Sequence, residues 1–340
     1  MPSTLHAPAR PPTGLVLTGG GARAAYQVGV LEAIAELRRI HAPEESPASS
    51  PFGVITGTSA GAINAAALAC GADDFATTVR RLAETWRNFH AEQVYRVDSL
   101  AMLNSAARWR LLLGMGQLLA RLLRIKPRSL LDNTPLAELL QRTVPLERLP
   151  GLLRSGHLQA LAITASSYSS GEHVCFFDSA VTTQTWVRSQ RLSAHGRIGH
   201  AHLLASSAIP FIFPAVPLGI RGRTEYFGDG SMRQSTPLAP AIHLGAQRID
   251  AIAARHVDAL PGPVQRLFVG LQPNSVTQLK AAAFASYLLF ETPFTEELIA
   301  LGRADTLARR SEVCAFFGWP QAASGADSRL SMRTASSTPS

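Results

Sequence analysis

The chain alternates short apolar runs with longer amphipathic ones. Leu15-Val16-Leu17-Thr18 is a continuous apolar run of buried-strand length, and it ends on Gly19-Gly20-Gly21. Apolar residues then recur at helical spacing through Val28, Leu31, Ile34, Ala35 and Leu37 until the Pro/Ser-rich loop from His41 to Pro51. Phe52 to Thr56 predicts a second strand. It runs into Gly57-Thr58-Ser59-Ala60-Gly61 and an Ala-rich helix that reaches Cys70. Strand, turn, helix, loop, strand, turn, helix is the grammar of an α/β protein with a parallel sheet and crossover helices.

Residues 73–142 read as mostly helical. Strands are expected at 158–165, 172–177, 223–227 and 248–253. Helices are expected to end near Ser207 and to cover 238–245 and much of 276–303. The strand pattern resumes after 150, so 73–150 reads as a helical insertion, a cap, within one domain over 14–320. Residues 1–13, rich in Pro and Ala, and 321–340, rich in Ser, Ala and Thr, are expected to be disordered ends. There is no internal repeat.

Composition narrows the class. The chain has 340 residues, 46% hydrophobic and 16% charged, a globular balance with ample material for a core. The net charge is +8 and the isoelectric point is near 10.1. No zinc-finger or RNA-binding signature accompanies that charge, so nucleic acid is not an expected partner. Cys70, Cys175 and Cys314 are odd in number and far apart, which reads as free thiols in a reducing compartment. The N-terminus lacks the apolar core of a signal peptide, and no run of eighteen apolar residues exists. A cytoplasmic protein, with or without peripheral membrane contact, is the expectation.

Three segments carry candidate chemistry. Gly57-Thr58-Ser59-Ala60-Gly61 fits G-x-S-x-G between a strand and a helix. Such a turn exposes the serine Oγ at the carboxyl end of a sheet, and Gly57 and Gly61 let strand and helix approach. A bare reading is a tight turn whose serine caps a helix. Gly19-Gly20-Gly21-Ala22-Arg23-Ala24 can turn backbone N–H groups onto an anion, with Arg23 holding the loop or meeting the anion. It also fits a dinucleotide loop, but Glu44 and Glu45, at the expected distance, have no strand before them. It lacks the Gly-Lys-Ser/Thr of a P-loop. An oxyanion hole accounts for its place beside the serine turn, at the end of the neighbouring strand. Asp229, between Gly228 and Gly230, would be presented at a turn after a strand. The apolar, proline-broken stretch Ala205 to Pro214 suits a binding wall or ordinary core.

Together these residues resemble the patatin-like phospholipase family, bacterial type. GGGARAAYQVGVL, GTSAG, ASSAIPFIFP and DGS stand in the family's order, and the resemblance covers roughly 14–255. Two residues depart from the pattern. Ala24 stands where the family often has Gly, and Ser231 where it has Gly or Ala. The resemblance implies a three-layer α/β/α fold with a mostly parallel central sheet. It implies a Ser59–Asp229 dyad without histidine, an oxyanion hole at Gly19, Gly20 and Gly21, an acyl-enzyme, and acyl-lipid substrates. It implies no metal and no organic cofactor.

Two other readings stay open at this point. An α/β-hydrolase with a Ser–His–Asp triad would use His243 or His256, but about fifty residues precede the elbow, fewer strands than that fold places there. A non-catalytic lipid- or nucleotide-binding module would keep only the glycine loop. One further stretch stands apart. From Trp109 to Lys126, Arg110, Gly114, Gln117, Arg121 and Arg124 make a polar stripe beside a wide leucine face. Residues 98–128 hold six basic side chains (Arg108, Arg110, Arg121, Arg124, Lys126, Arg128) against Asp98. Such a helix suits an anionic membrane surface, a lid or a structural cap.

Overall fold

The strand β1 (Thr13–Leu17) and the strand β2 (Val54–Thr58) are buried along their whole length and pair in parallel, Gly14 opposite Val54. This is a computed structural model, and it describes residues 12–44, 49–88, 90–96, 129, 131–181, 183–232, 238–252 and 288–320. On the outer side of β2 lies β3 (Ala160–Ser167), and on the outer side of β1 lies β9 (Arg248–Ile252), both parallel to their neighbours. Beyond β3 the directions change. There β4 (His173–Ser179) is antiparallel to β3, β6 (Arg191–His195) is parallel to β4, and β5 (Val187–Arg188) closes that edge. The hairpin of β7 (Val216–Ile220) and β8 (Arg223–Asp229) joins through β8, which pairs antiparallel with the last residues of β3.

Alternating side chains of the central strands feed two cores. Leu15, Leu17, Ile55, Leu161 and Ile163 belong to the larger. It packs under α1 (Ala25–His41), α2 (Ala60–Ala69), α3 (Phe75–Arg87) and α8 (Thr292–Ala308). Val16, Val54, Ala160 and Ala162 face the other way, against Ala241 of α7 (Ala239–His243) and Leu244. The sheet is thus enclosed on both faces, the three-layer arrangement. Helix α1 crosses α8 at glycines on both sides: a Cβ on Gly29 would stand 1.9 Å from the carbonyl oxygen of Ile299, and one on Gly302 2.1 Å from that of Tyr26. That crossing fixes α1, and with it the glycine loop at its head.

Most predicted elements are present, within a few residues of their expected bounds. β1 begins at Thr13, inside the stretch expected to be frayed, because Thr13 pairs with Arg248 of β9. Of the expected insertion at 73–150, residues 89, 97–128 and 130 lie outside the described residues, and the described helices contribute to the main core. Helix α3 and α4 (Thr134–Thr143) place Phe75, Val79, Leu136 and Leu140 in the main core, as does α5 (Leu149–Arg154) through Leu149 and Leu153. The pattern did not predict β5, β6, β7 or α9 (Arg310–Phe317). The basic helix expected at 109–126, and residues 1–11 and 321–340, lie outside the described residues. Among the described residues, no helix is long and apolar enough to cross a membrane, and all three cysteines are free and buried.

Candidate active site

Ser59 sits between β2 and α2 with φ 57° and ψ −132°, a conformation that costs a non-glycine residue roughly 1–3 kcal/mol. Its surroundings leave no alternative. A Cβ on Gly61 would lie 2.4 Å from the Leu17 carbonyl oxygen, and one on Gly57 2.5 Å from the Ala62 Cα. The first turn of α2 therefore presses directly on the end of β1. The Ser59 N–H donates to the Ser206 hydroxyl at 2.8 Å, and that hydroxyl donates to the Thr164 carbonyl at 2.6 Å. Ser206 belongs to α6 (His200–Ser207).

β3 brings the second residue to the first. Its Thr164 is opposite Thr58, the last residue of β2, and its next residue, Ala165, is opposite Asp229, the last of β8. β2 and β8 approach from opposite directions along one side of β3 and end almost tip to tip. Ser59 Oγ donates to Asp229 Oδ2 at 2.5 Å. Asp229 Oδ1 accepts from Ser231 twice, from its N–H at 2.8 Å and its Oγ at 2.6 Å. Both Ser59 and Asp229 are buried. Burial pushes the Asp229 carboxyl above the ordinary aspartate range, and the hydrogen bonds from Ser231 and Ser59 pull part of the way back. A raised carboxylate in short contact with a hydroxyl can take its proton.

The glycine loop lies over this pair. A Cβ on Gly19 would meet the Cβ of Ser231 at 2.8 Å and that of Ser59 at 2.9 Å. Gly21, at φ 57°, lines the same cavity as Ser59. Arg23 is buried and folds back to donate from Nε to the Gly20 carbonyl at 3.5 Å, so it braces the loop. Gly230 closes on Thr164, whose carbonyl oxygen would stand 2.2 Å from an added Cβ. The two serine-flanking glycines, the glycine loop, Arg23 and the Asp-Gly turn all lie around one spot.

A family model of patatin-like phospholipases matches residues 15–242 of the chain. The chain belongs to the patatin-like phospholipase family. No curated protein sequence matches it significantly. Among solved structures, the type III effector ExoU is similar at 18% identity and a TM-score of 0.30, over 89% of this chain and 53% of that one. The ExoU–SpcU complex from the type III secretion system of Pseudomonas aeruginosa is similar at 18% identity and a TM-score of 0.32, over 89% and 52%. The chain spans about half the length of these structures.

In this family member the space beside Ser59 is apolar. A cavity of about 130 Å³ starts at Ser59 and Gly21 and runs between α2, α3 and α4. Ser207, Ile209 and Phe213, from the proline-broken stretch, wall its near end. Among the described residues, Ser59 and Asp229 hydrogen-bond to no histidine. His243 instead stacks on Trp186 with ring centres 4.6 Å apart, and His256 lies outside the described residues. No described group of His, Cys, Asp and Glu could hold a metal.

Sequence reasoning missed the roles of five supporting residues. Ser206 holds the elbow and Ser231 holds the aspartate. Gln27 and Asn64 form a buried link in which Asn64 Nδ2 donates to Gln27 Oε1 at 3.0 Å and Gln27 Nε2 to the Thr18 carbonyl at 2.8 Å. Trp86 Nε1 donates to Asn64 Oδ1 at 2.9 Å and completes the chain across α1, α2 and α3. Their signal was available: Gln27 and Asn64 are polar residues at positions where their helices are otherwise apolar, and a buried polar group needs a partner.

Proposed function

We propose that the protein hydrolyses acyl-lipid esters, in the manner of a phospholipase A or lysophospholipase, with Ser59 as nucleophile and Asp229 as its base. The observation that carries the proposal is the 2.5 Å hydrogen bond from Ser59 Oγ to a buried Asp229 at the mouth of an apolar cavity. Asp229 takes the hydroxyl proton as Ser59 Oγ attacks the ester carbonyl. Backbone N–H groups of Gly19, Gly20 and Gly21, with the N-terminus of α2, stabilise the oxyanion. The tetrahedral intermediate collapses to an acyl-Ser59 and releases the alcohol, which recovers the proton from Asp229. Water, deprotonated by Asp229, then attacks the acyl-enzyme, and the fatty acid leaves with Ser59 restored. No metal or organic cofactor enters these steps.

The same reading has the basic, leucine-rich stretch at 109–126 meet anionic lipid surfaces. Its support is the charge and spacing of that stretch. The test of the function is a burst experiment with a chromogenic acyl ester, followed by mass spectrometry of the quenched protein. The expected result is a burst of one alcohol per chain and an acyl group on the Ser59 peptide. Turnover without a burst and with no label on Ser59, or a label on another residue, overturns it.

A further inference from the structure

The wall of the cavity is laid out as a ruler. Apart from Asn64, helix α2 is apolar all round and almost wholly buried, yet Ile63 and Ala67 are only half-buried. Their exposure is into the cavity, which follows Ala60, Ile63, Ala67 and Cys70, one stripe of the helix at spacings of three and four. The opposite walls are the apolar sides of α3 and α4, through Leu82, Trp86, Leu136, Leu139 and Leu140. At Cys70 the character changes. Burial pushes the Cys70 thiol up to about 12, so it stays a neutral wall. Past it the lining holds Thr78, Arg81, Thr143 and Arg148. Arg148 donates from Nη1 to the Cys70 carbonyl at 2.9 Å and from Nη2 to Asp73 at 2.7 Å, which fixes a cation across the far end.

We infer that this cavity seats the acyl chain of the substrate, starting at Ser59, and that Cys70 and Arg148 set the chain length it accepts at about twelve carbons. This rests on the hydrolase reading and adds the substrate's acyl part to it. From Ala60 to Cys70, α2 rises about 15 Å at about 1.5 Å per residue. An extended chain gains roughly 3.6 Å per three bonds, so that length takes about twelve. A longer chain would leave the apolar stripe and meet the Arg148–Asp73 pair, where further methylenes gain nothing.

The inference predicts a chain-length profile with a break. Over a series of p-nitrophenyl esters, kcat/KM rises up to about fourfold per added carbon, the value of a buried methylene, and levels off near twelve carbons. Ala67 stands about 10 Å along α2 from Ala60, so Ala67→Phe should move the break to about eight carbons. Should that variant not fold, Ala67→Leu is read the same way with a smaller shift. Dodecanoate binding, measured by calorimetry on the same proteins, gives a second readout that does not depend on turnover: wild type binds it, and Ala67→Phe binds it at least tenfold more weakly. An unchanged break in a folded Ala67 variant, or equal dodecanoate binding, overturns the ruler. Failure of the wild type to turn over any ester, butyrate included, overturns the hydrolase reading instead, and dodecanoate binding then still decides whether the cavity takes an acyl chain.

Discussion

The two arms of the site are held in opposite ways. The serine arm is local. Its conformation is set within five residues by Gly57, Ser59 and Gly61, and the chain is jammed so closely that Ser59 takes a positive φ. The aspartate arm is assembled from a distance. Asp229 is placed by the pairing of β8 with the end of β3 and by two hydrogen bonds from Ser231. One arm stores strain and tolerates no added atom. The other is a buried carboxylate whose position and protonation depend on donors. Substitutions should therefore fail differently on the two sides.

The largest effect is expected on the serine arm. Ser59→Ala removes the proposed nucleophile and should lower kcat by up to roughly a millionfold, the loss that removal of the nucleophile costs a serine hydrolase. The fold should survive with a modestly lower Tm, because the buried Asp229 carboxylate loses one of its donors. Residual activity above a few per cent in purified, folded protein would remove Ser59 from the mechanism.

On the aspartate arm, Asp229→Asn should cost on the order of ten-thousandfold, since an amide cannot accept the serine proton. It should also stabilise the fold. Asp229 is raised in the folded state, so the stability tied to it is present at low pH and is lost as pH rises through its folded value. Once pH exceeds its folded value, the wild type carries a buried charge that the amide lacks. The expected result is a higher Tm for the variant at alkaline pH, with the gap closing as pH falls toward 3.8. A variant less stable at every pH would mean that Asp229 is structural. Substitution of each of the ten histidines should leave activity in place, and one folded but inactive variant would favour a triad.

This contrast also explains what could be read from the sequence. A local arm writes itself into adjacent residues, so the elbow, the glycine loop and the first strands and helices were legible as patterns. Asp229 alone reads as an ordinary Asp-Gly turn, and it took the order of four motifs to single it out. Ser206 was invisible as a support because its role depends on α6 meeting β2 across 147 residues. The short strands β5, β6 and β7 carry exposed or mixed residues such as Val187, Arg188 and Pro217, so they lack the apolar run that marked the central sheet. The packing of α3 and α4 into the main core was not legible for a related reason: helical periodicity shows that they have an apolar face but not what that face packs against.

Between the arms lies Gly19, close enough that an added Cβ would touch both. Gly19→Ala would push its Cβ against Ser59 and Ser231 and displace the loop proposed to hold the oxyanion. Loss of one oxyanion donor typically costs a hundred- to a thousandfold in kcat. KM should change little, because the acyl cavity is untouched. A large rise in KM with kcat preserved would place the loop in substrate binding instead.

The smallest effect is the sharpest test of the comparison. Ser231 stands where family members have Gly or Ala, and here its Oγ gives Asp229 Oδ1 a second hydrogen bond at 2.6 Å. That bond stabilises the ionised carboxylate and opposes burial. Ser231→Ala keeps the backbone donor and removes the hydroxyl, so Asp229 should move further above the ordinary range. The base must be ionised to act, so the acid limb of the kcat/KM profile should move to higher pH. A hydrogen bond to a charged group is worth about 1.5 kcal/mol or more, so the variant should be about tenfold slower on the acid limb. At alkaline pH, where Asp229 is ionised in both proteins, the rates should agree within about threefold. A uniform loss across all pH would mean that Ser231 positions the turn rather than tunes the carboxylate. An unmoved acid limb would mean that the backbone N–H of Ser231 suffices, and that the aspartate arm is as locally determined as the serine arm.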